Sequence, residues 1–301
     1  MSEHSSAACR GVVFTDDFGW HGRRLADAFA ALGVDLVAAT LSDCRLRIAG
    51  AAESSIEVPG FAGGMPAFAF VRGIAGGTLE EITFRLDILH ALEHVGVPVI
   101  NGPRAIERTV DKAMTSFLLS HAGLPTPPTW VGTAVGSASG PLVAKPLFGS
   151  QGNGVRRIDA ARFVDGGDNS GVFYLQRFIE RDGPPYADWR LFVIGGTVTG
   201  AMLRQSQDWV TNRALGAECL AATPEAELVD IAERAATVLG LDYGGVDIVR
   251  GRDGRPWIIE VNSMPAWQGL QRICDTDIAA ALAARTMTRT AAARRQAIIG
   301  V

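Results

Sequence analysis

Long apolar runs are missing from this chain, and so are the cysteine spacings of a disulfide frame. No stretch approaches the ~20 consecutive apolar residues that cross a bilayer, so the sequence offers no membrane span. Cys9, Cys44, Cys219 and Cys274 are scattered without a CxxC. They read as reduced thiols of a cytoplasmic protein, not as bridges or zinc ligands. The opening residues MSEHSSAACR lack the apolar core of a signal peptide. Charge of one sign is lacking too: 28 Lys and Arg face 32 Asp and Glu, a net −4. That balance gives no case for a nucleic-acid or membrane patch. Of five histidines only His90 and His94 lie one helical turn apart, which reads as a surface or half-buried pair. No GxGxxG follows the first strand, so no dinucleotide fingerprint is read, and no internal repeat is found.

What is present is ample core: 48% of 301 residues are hydrophobic, enough for about two domains. The first hundred residues alternate strand and helix. Gly11–Thr15, Val34–Thr40, Ala67–Val71 and Pro98–Asn101 read as strands, and Thr78-Leu-Glu-Glu81 as a capping box opening a helix that stops at Gly96. The pattern predicts a small parallel sheet with helices. One helix is expected from Pro103 to Ala122, then a rigid Leu124-Pro-Thr-Pro-Pro128 break. Short strands with hairpin turns follow, then a helix to Leu239 capped by Thr223 with Pro224 at its first position, a hairpin, and an Ala/Arg-rich terminal helix.

That hairpin carries the strongest chemical signal. GGVDIVR (Gly244–Arg250) and WIIEVN (Trp257–Asn262) are apolar strands with carboxylates in them. With Asp253-Gly254 as a two-residue turn, Arg252 faces Arg255 and Asp247 falls directly opposite Glu260, with Asn262 two residues along and Ile259 and Val261 on the other face. Opposed like charges destabilise a sheet, and burying them unpaired costs several kcal/mol each. A divalent cation held by two carboxylates and an amide removes both problems, and this oxygen set suits Mg²⁺. The competing reading pairs one carboxylate with an arginine and leaves the other in solvent.

The second signal is LVAKPLFGSQGNGV (Leu142–Val155), an apolar strand with Lys145 and then a turn rich in glycine. Backbone N–H groups of such a turn can close on phosphate oxygens. No GK[ST] follows, so it is not a Walker A loop, and glycine-rich turns without phosphate are equally common. Lys112 reads equally as solvated surface. Gln176-Arg-Phe-Ile179 is a strand running into a polar turn, which offers an edge to an adenine ring but is also an ordinary strand end. Asp17 and Arg72 follow strands at the carboxyl edge of the N-terminal sheet, where open α/β sheets bind ligands. Acceptor contact and ordinary loop polarity are both open there.

Taken in order, Asp111-Lys112, Lys145 with its turn, Gln176–Ile179, Asp188-Trp-Arg190, Asp247 and Glu260-Val-Asn262 resemble the ATP-grasp superfamily, and within it the RimK-type α-L-glutamate ligases. The likeness extends to Val99-Ile-Asn-Gly-Pro103 and across essentially the whole chain. It implies an N-terminal βα domain over 1–105 and a two-lobed ATP-grasp domain over 106–301, its lobes being 106–180 and 181–301. Lys112 and Lys145 would hold ATP phosphates, with Gly149, Ser150, Gly152 and Gly154 folded over them. Gln176, Arg177, Phe178 and Ile179 would line the adenine slot, and Asp188 would reach the nucleotide. Asp247, Glu260 and Asn262 would bind two Mg²⁺, with Mn²⁺ a substitute. Arg190 and Arg204 would face the reacting groups; without the resemblance, ion pairs with nearby carboxylates explain them equally. Two departures stand out. Arg177 replaces an acidic hinge residue, and Val210, in Asp208-Trp-Val-Thr-Asn212, replaces an arginine, with Arg213 the expected substitute.

The activity implied is ATP-dependent joining of a carboxylate to an amine through an acyl phosphate. L-glutamate would be added to a small-molecule or peptide acceptor, by a chain that is cytoplasmic and open to homo-oligomer formation. The alternatives are a ligase of the glutathione synthase or D-alanine ligase kind, and a non-catalytic ATP-binding module of the synapsin kind.

Overall fold

A computed structural model describes residues 9–50, 53–133, 138–149, 154–159 and 171–299. Contacts divide the chain into two units: residues 1–103, 266–268 and 277–301, and residues 104–265 and 269–276. The C-terminal helix, which the sequence assigned to the second lobe, thus groups with the N-terminal unit.

In the first unit, strands β1 (Cys9–Phe14), β2 (Val34–Ala39), β5 (Ala69–Val71) and β6 (Val99–Ile100) form a parallel sheet in the order β2-β1-β5-β6. Between them β3 (Arg45–Arg47) and β4 (Ser55–Glu57) make a separate hairpin that the sequence did not announce. Helix α1 (Gly19–Ala30) buries Leu25 and Phe29, and the Phe29 ring stacks on Phe68 at 5.0 Å. Helix α2 (Leu79–His94) opens on the expected capping box. Glu81 N donates to Thr78 Oγ1, and Thr78 N donates to Glu81 Oε2. Its Ile88, Leu89 and Leu92 are wholly buried.

The second unit starts with two helices where one was expected, α3 (Pro103–Val110) and α4 (Lys112–His121). Asp111 separates them. Its backbone is extended and its carboxylate accepts from Ala113 N and Met114 N, ending one helix and capping the next. Two antiparallel sheets follow. The first orders β7 (Thr129–Gly132), β8 (Pro141–Lys145), β9 (Arg156–Asp159) and β10 (Phe173–Arg177) as β7-β10-β8-β9, over a small core of Leu142, Ala144, Phe173 and Leu175. The second orders β11 (Tyr186–Ile194), β12 (Thr197–Ser206), β13 (Glu218–Ala221), β14 (Tyr243–Arg250) and β15 (Pro256–Asn262) as β13-β12-β11-β14-β15. Helix α5 (Ala226–Leu239) lays Leu228, Ile231, Ala235 and Leu239 on that sheet against Leu191, Val246, Ile258 and Val261. It is capped at Glu225 with no side-chain bond, not at Thr223. A short α6 (Gln268–Gln271) precedes α7 (Ile278–Ile299), which packs on α1.

The β14–β15 hairpin keeps the predicted outcome by an unpredicted route. Its turn is longer than two residues: Gly251 N donates to Arg255 O, and Arg250 faces Pro256. The strands therefore run one residue out of the expected register as far as Ile248, which faces Ile258. A bulge between Asp247 and Ile248 then restores the pairing of Asp247 with Glu260. Ile259 is the extra residue. The bulge turns it away from the core that holds Ile258 and Val261, so it lines a cleft beside Glu260. The sequence had set Ile259 and Val261 on one face, and strict alternation fails at that point.

Candidate active site

One cleft in the second unit gathers most of the candidate residues. Lys112, Lys145, Gly149, Gln176, Arg177, Phe178, Ile179, Asp188, Arg204, Asp247 and Glu260 line it. Lys112 is the first residue of α4 and donates to the carbonyls of Gly149 at 2.7 Å and Leu147 at 3.4 Å. Lys145, the last residue of β8, donates to Gln176 Oε1 at 2.8 Å and to Ile259 O at 3.0 Å. The bulge thus presents a carbonyl to one lysine and the Glu260 carboxylate to both. Enclosure by protein pushes the Lys145 ammonium down to about 8, with Glu260 opposing and Lys112 adding to the fall. Burial lowers Lys112 as well, against Glu260 and Asp111. Gly154 has φ +73, and a Cβ there would stand 2.8 Å from Pro146, so only glycine fits this end of the turn. Ser150 and Gly152 lie outside the described residues.

Across the cleft, the register of three strands sets four charged side chains on one sheet face. Asp188 on β11 faces Arg204 on β12, and Arg190 on β11 faces Asp247 on β14. Arg190 donates through Nε and Nη2 to the two Asp247 oxygens at 2.7 and 2.6 Å. Arg204 Nε donates to Asp188 Oδ1 at 2.7 Å and its Nη2 to Asp188 Oδ2; it also lies 3.0 Å from Asp247 Oδ2. Burial alone would raise the Asp247 carboxyl, but Arg190 and Arg204 hold it below the ordinary range. Asp188 is raised by burial, with Asp247 adding to the rise against Arg204. Ion pairs with the two arginines are therefore present, and Asp188 is engaged by Arg204 through both oxygens while it lines the cleft.

Phe178, whose ring meets Trp209 at 5.5 Å, adds an aromatic wall to the cleft, with Val210 and Thr211 also lining it. The amides of Arg177 and Phe178 donate to the carbonyls of Pro128 and Pro141. Arg181, Trp209 and Thr211 were not singled out from the sequence. Only their nearness to the hinge and to Val210 hinted at them.

Several candidates stand elsewhere. Arg213 does not line the cleft: Asn212 accepts from Ala214 N in a tight turn, and the Arg213 side chain lies against Gly269 and Cys219. The sequence expectation had it supply the charge missing at Val210, and Asn212, the residue before it, does line the cleft. Asn262 follows Glu260 on β15 and pairs in register with Gly245, but it is not among the cleft-lining residues. Asp17 and Arg72 belong to the first unit, at the carboxyl ends of β1 and β5. Thr15 Oγ1 accepts from Asp17 N, and Arg72 sits 5.0 Å over the Trp267 ring.

Among the described residues no group of three His, Cys, Asp or Glu is placed to hold a metal. The set here is two carboxylates on facing strands with an amide on the next turn of the pleat. That donor chemistry fits a hard divalent cation which keeps phosphate or water for its other positions. Asp247 would share its oxygens between the ion and Arg190.

Opposed lysines and carboxylates line a cleft beside two antiparallel sheets, the arrangement expected of an ATP-grasp enzyme. The model of the RimK-like ATP-grasp domain matches residues 131–286. A tetrahydromethanopterin:α-L-glutamate ligase of Methanococcus maripaludis is 38% identical over 224 residues, covering 70% of this chain and 75% of that one. Among solved structures, the ATP-grasp ligase PsnB bound to a minimal precursor superposes with TM-score 0.72 at 22% identity, covering 94% of this chain and 99% of that one. PsnB with minimal precursor, Mg and ADP gives 0.69 at 22% identity, covering 93% and 96%. The chain belongs to the RimK-like ATP-grasp family. It is an ATP-dependent ligase of mixed α/β fold, and ligases of this fold work with ATP and magnesium. Among the described residues no helix is long and apolar enough to cross a membrane.

Proposed function

We propose that this ligase joins the α-amine of L-glutamate to a carboxylate of a small-molecule or peptide acceptor, with ATP converted to ADP and phosphate. The relative named as a tetrahydromethanopterin ligase supports a pterin-type cofactor as acceptor. The observation that carries the reaction is the convergence of Lys112, Lys145, Glu260 and Asp247 on one cleft that also holds the Phe178–Trp209 wall.

ATP lies with its base against Phe178 and Trp209 and its terminal phosphates between the two lysines, under the turn that includes Gly149, Ser150, Gly152 and Gly154. With the Arg177 and Phe178 amides committed to protein carbonyls, backbone recognition of the base falls to Ile179, with Gln176 fixing Lys145. Asp247, Glu260 and Asn262 would hold two Mg²⁺, or Mn²⁺ in their place, which neutralise charge on the β- and γ-phosphates. An acceptor carboxylate oxygen attacks the γ-phosphorus, and the bond to the ADP oxygen breaks. The glutamate amine then attacks the acyl carbonyl and loses a proton, and inorganic phosphate leaves. Arg190 and Arg204 stabilise the transferring phosphoryl and then the tetrahedral oxyanion. They do so from positions already fixed by Asp247 and Asp188, so little reorganisation is needed. The sheets β7–β10 and β11–β15 serve as the two lobes.

Product analysis tests this. With an oxygen-18-labelled acceptor carboxylate, one labelled oxygen is expected in the released phosphate, with ADP in equal amount. AMP and pyrophosphate, or label in AMP, would remove the mechanism.

A further inference from the structure

Arg181 is a cation that the reaction above does not use. It follows the hinge by two residues, lines the cleft, and is only 8% exposed. Its Nη1 donates to Ala187 O at 3.0 Å, its Nη2 donates to the carbonyl of Trp209, and its guanidinium lies 5.5 Å from the Tyr186 ring. These partners orient the group but carry no formal charge. The carboxylate whose charge it feels most is Asp188, and both Asp188 oxygens are already engaged by Arg204. A buried guanidinium needs an anion, because desolvating an uncompensated charge costs several kcal/mol. The contrast with its neighbours is direct. Arg190 and Arg204 hold carboxylates at hydrogen-bonding distance, whereas Arg181 holds carbonyls.

Its place in the cleft selects the anion. The carbonyl it grips belongs to Trp209, whose ring packs on Phe178, where the orientation above seats the base. Lys112 and Lys145 line the same cleft but hold other carbonyls, those of Gly149 and Ile259. The first anionic group met on leaving a base seated at Phe178 is the α-phosphate. We propose that Arg181 binds the α-phosphate of the adenine nucleotide and thereby fixes the nucleotide's depth in the cleft. This rests on the nucleotide orientation proposed above. Two parallel N–H donors on a planar group suit phosphate oxygens better than a lysine would.

The test is equilibrium binding of ADP, AMP and adenosine to the full chain, wild type against Arg181→Met and Arg181→Lys, with thermal unfolding as the check on folding. In Arg181→Met the affinities for ADP and AMP are expected to fall by about tenfold or more, the loss of one charge-assisted contact. Adenosine binding should stay unchanged, and Arg181→Lys should recover part of the loss for ADP and AMP. A common loss for all three ligands would overturn the proposal, since Arg181 would then only brace the Trp209 wall. A loss confined to ADP would overturn it by moving the contact to the β-phosphate, and no loss at all would overturn it outright. If Arg181→Met does not fold, Arg181→Lys decides. A fall shared by adenosine, or no fall for any of the three, overturns the proposal, and a fall for ADP and AMP with adenosine unchanged supports it. A wild-type chain that binds none of the three would sink the ligase reading and this inference together; one that binds all three with no discrimination by the variants would sink this inference only.

Discussion

The two walls of the cleft manage charge in opposite ways. On the β11–β12–β14 wall, Asp188, Arg204, Asp247 and Arg190 form a closed ladder in which each buried charge has its opposite across the strand. On the other wall, Lys112 and Lys145 lean on carbonyls and an amide oxygen, with Glu260 their main compensating charge. The first wall pairs its charges internally. The second is held in a costly state that a polyphosphate would relieve. A ligase would benefit from both: fixed dipoles where charge develops and moves, and cations short of counter-charge where substrate must be captured.

The sharpest way to break that contrast is Asp247→Asn. It removes the carboxylate shared by Arg190 and Arg204 and leaves Arg190 uncompensated in a nearly closed site. A stability loss of about 3–5 kcal/mol is expected in chemical denaturation, as for other broken buried pairs, with loss of ligation. The double variant Asp247→Asn with Arg190→Gln should recover part of the loss. If the single variant is as stable as wild type, the ladder is not what holds this wall. Glu260→Gln makes the complementary test, because Glu260 is only part-buried. Ligation should fall more than about tenfold, roughly 1.4 kcal/mol in the barrier, while the denaturation midpoint barely moves. Turnover near wild type at limiting Mg²⁺ would remove Glu260 from the metal set.

Lys145→Met tests the second wall and should act with the opposite sign on stability. A folded value near 8 against an ordinary 10.5 means the unfolded chain binds more protons between those pH values. Stability therefore rises with pH across that window, and the penalty of burying the ammonium is fully present below about pH 8. Removing the charge should stabilise the empty protein at pH 7 by an amount on the order of 3 kcal/mol, and the gain should vanish by about pH 10.5. The same variant should weaken ADP binding. A destabilised Lys145→Met at pH 7 would mean that the lysine's bonds to Gln176 and Ile259 outweigh its desolvation.

Much of this cleft is legible in the sequence, for a physical reason. Carboxylates in apolar strands and a lysine before a glycine-rich turn violate burial preferences, so they stand out against their neighbours. What could not be read was how three strands lie side by side. Nothing near Arg190 or Arg204 in the sequence says that Asp247 and Asp188 face them, because cross-strand neighbours are distant along the chain. The hairpin shows the limit at its clearest. A short-turn rule placed Asp247 opposite Glu260, and the pairing exists, but only because a longer turn and a bulge offset each other. The side-chain face of Ile259 came out wrong for the same reason. Arg181 and Arg213 teach a similar lesson. Both are single arginines in polar turns, and only the hydrogen bonds to Ala187 and Trp209 bring the first into the cleft, while the Asn212 turn carries the second away.

The smallest expected effect is a fraction of a proton, and it separates the two walls most cleanly. If ADP phosphates compensate Lys145, its proton affinity must rise on binding, and the complex must take up protons wherever the empty site is partly deprotonated. At pH 6.5 the empty lysine is almost fully charged and uptake by it should be near zero. At pH 8, with the empty value at about 8, uptake of roughly half a proton is expected, and affinity should decline as the pH rises further. The arginine ladder stays charged throughout this range and contributes nothing. Calorimetry of ADP binding in two buffers of different ionisation enthalpy reads the uptake directly, and the difference should disappear in Lys145→Met. Uptake that persists in that variant would assign the titrating cation to Lys112, and a wild type with no uptake at pH 8 would show that the ammonium is already compensated in the empty cleft.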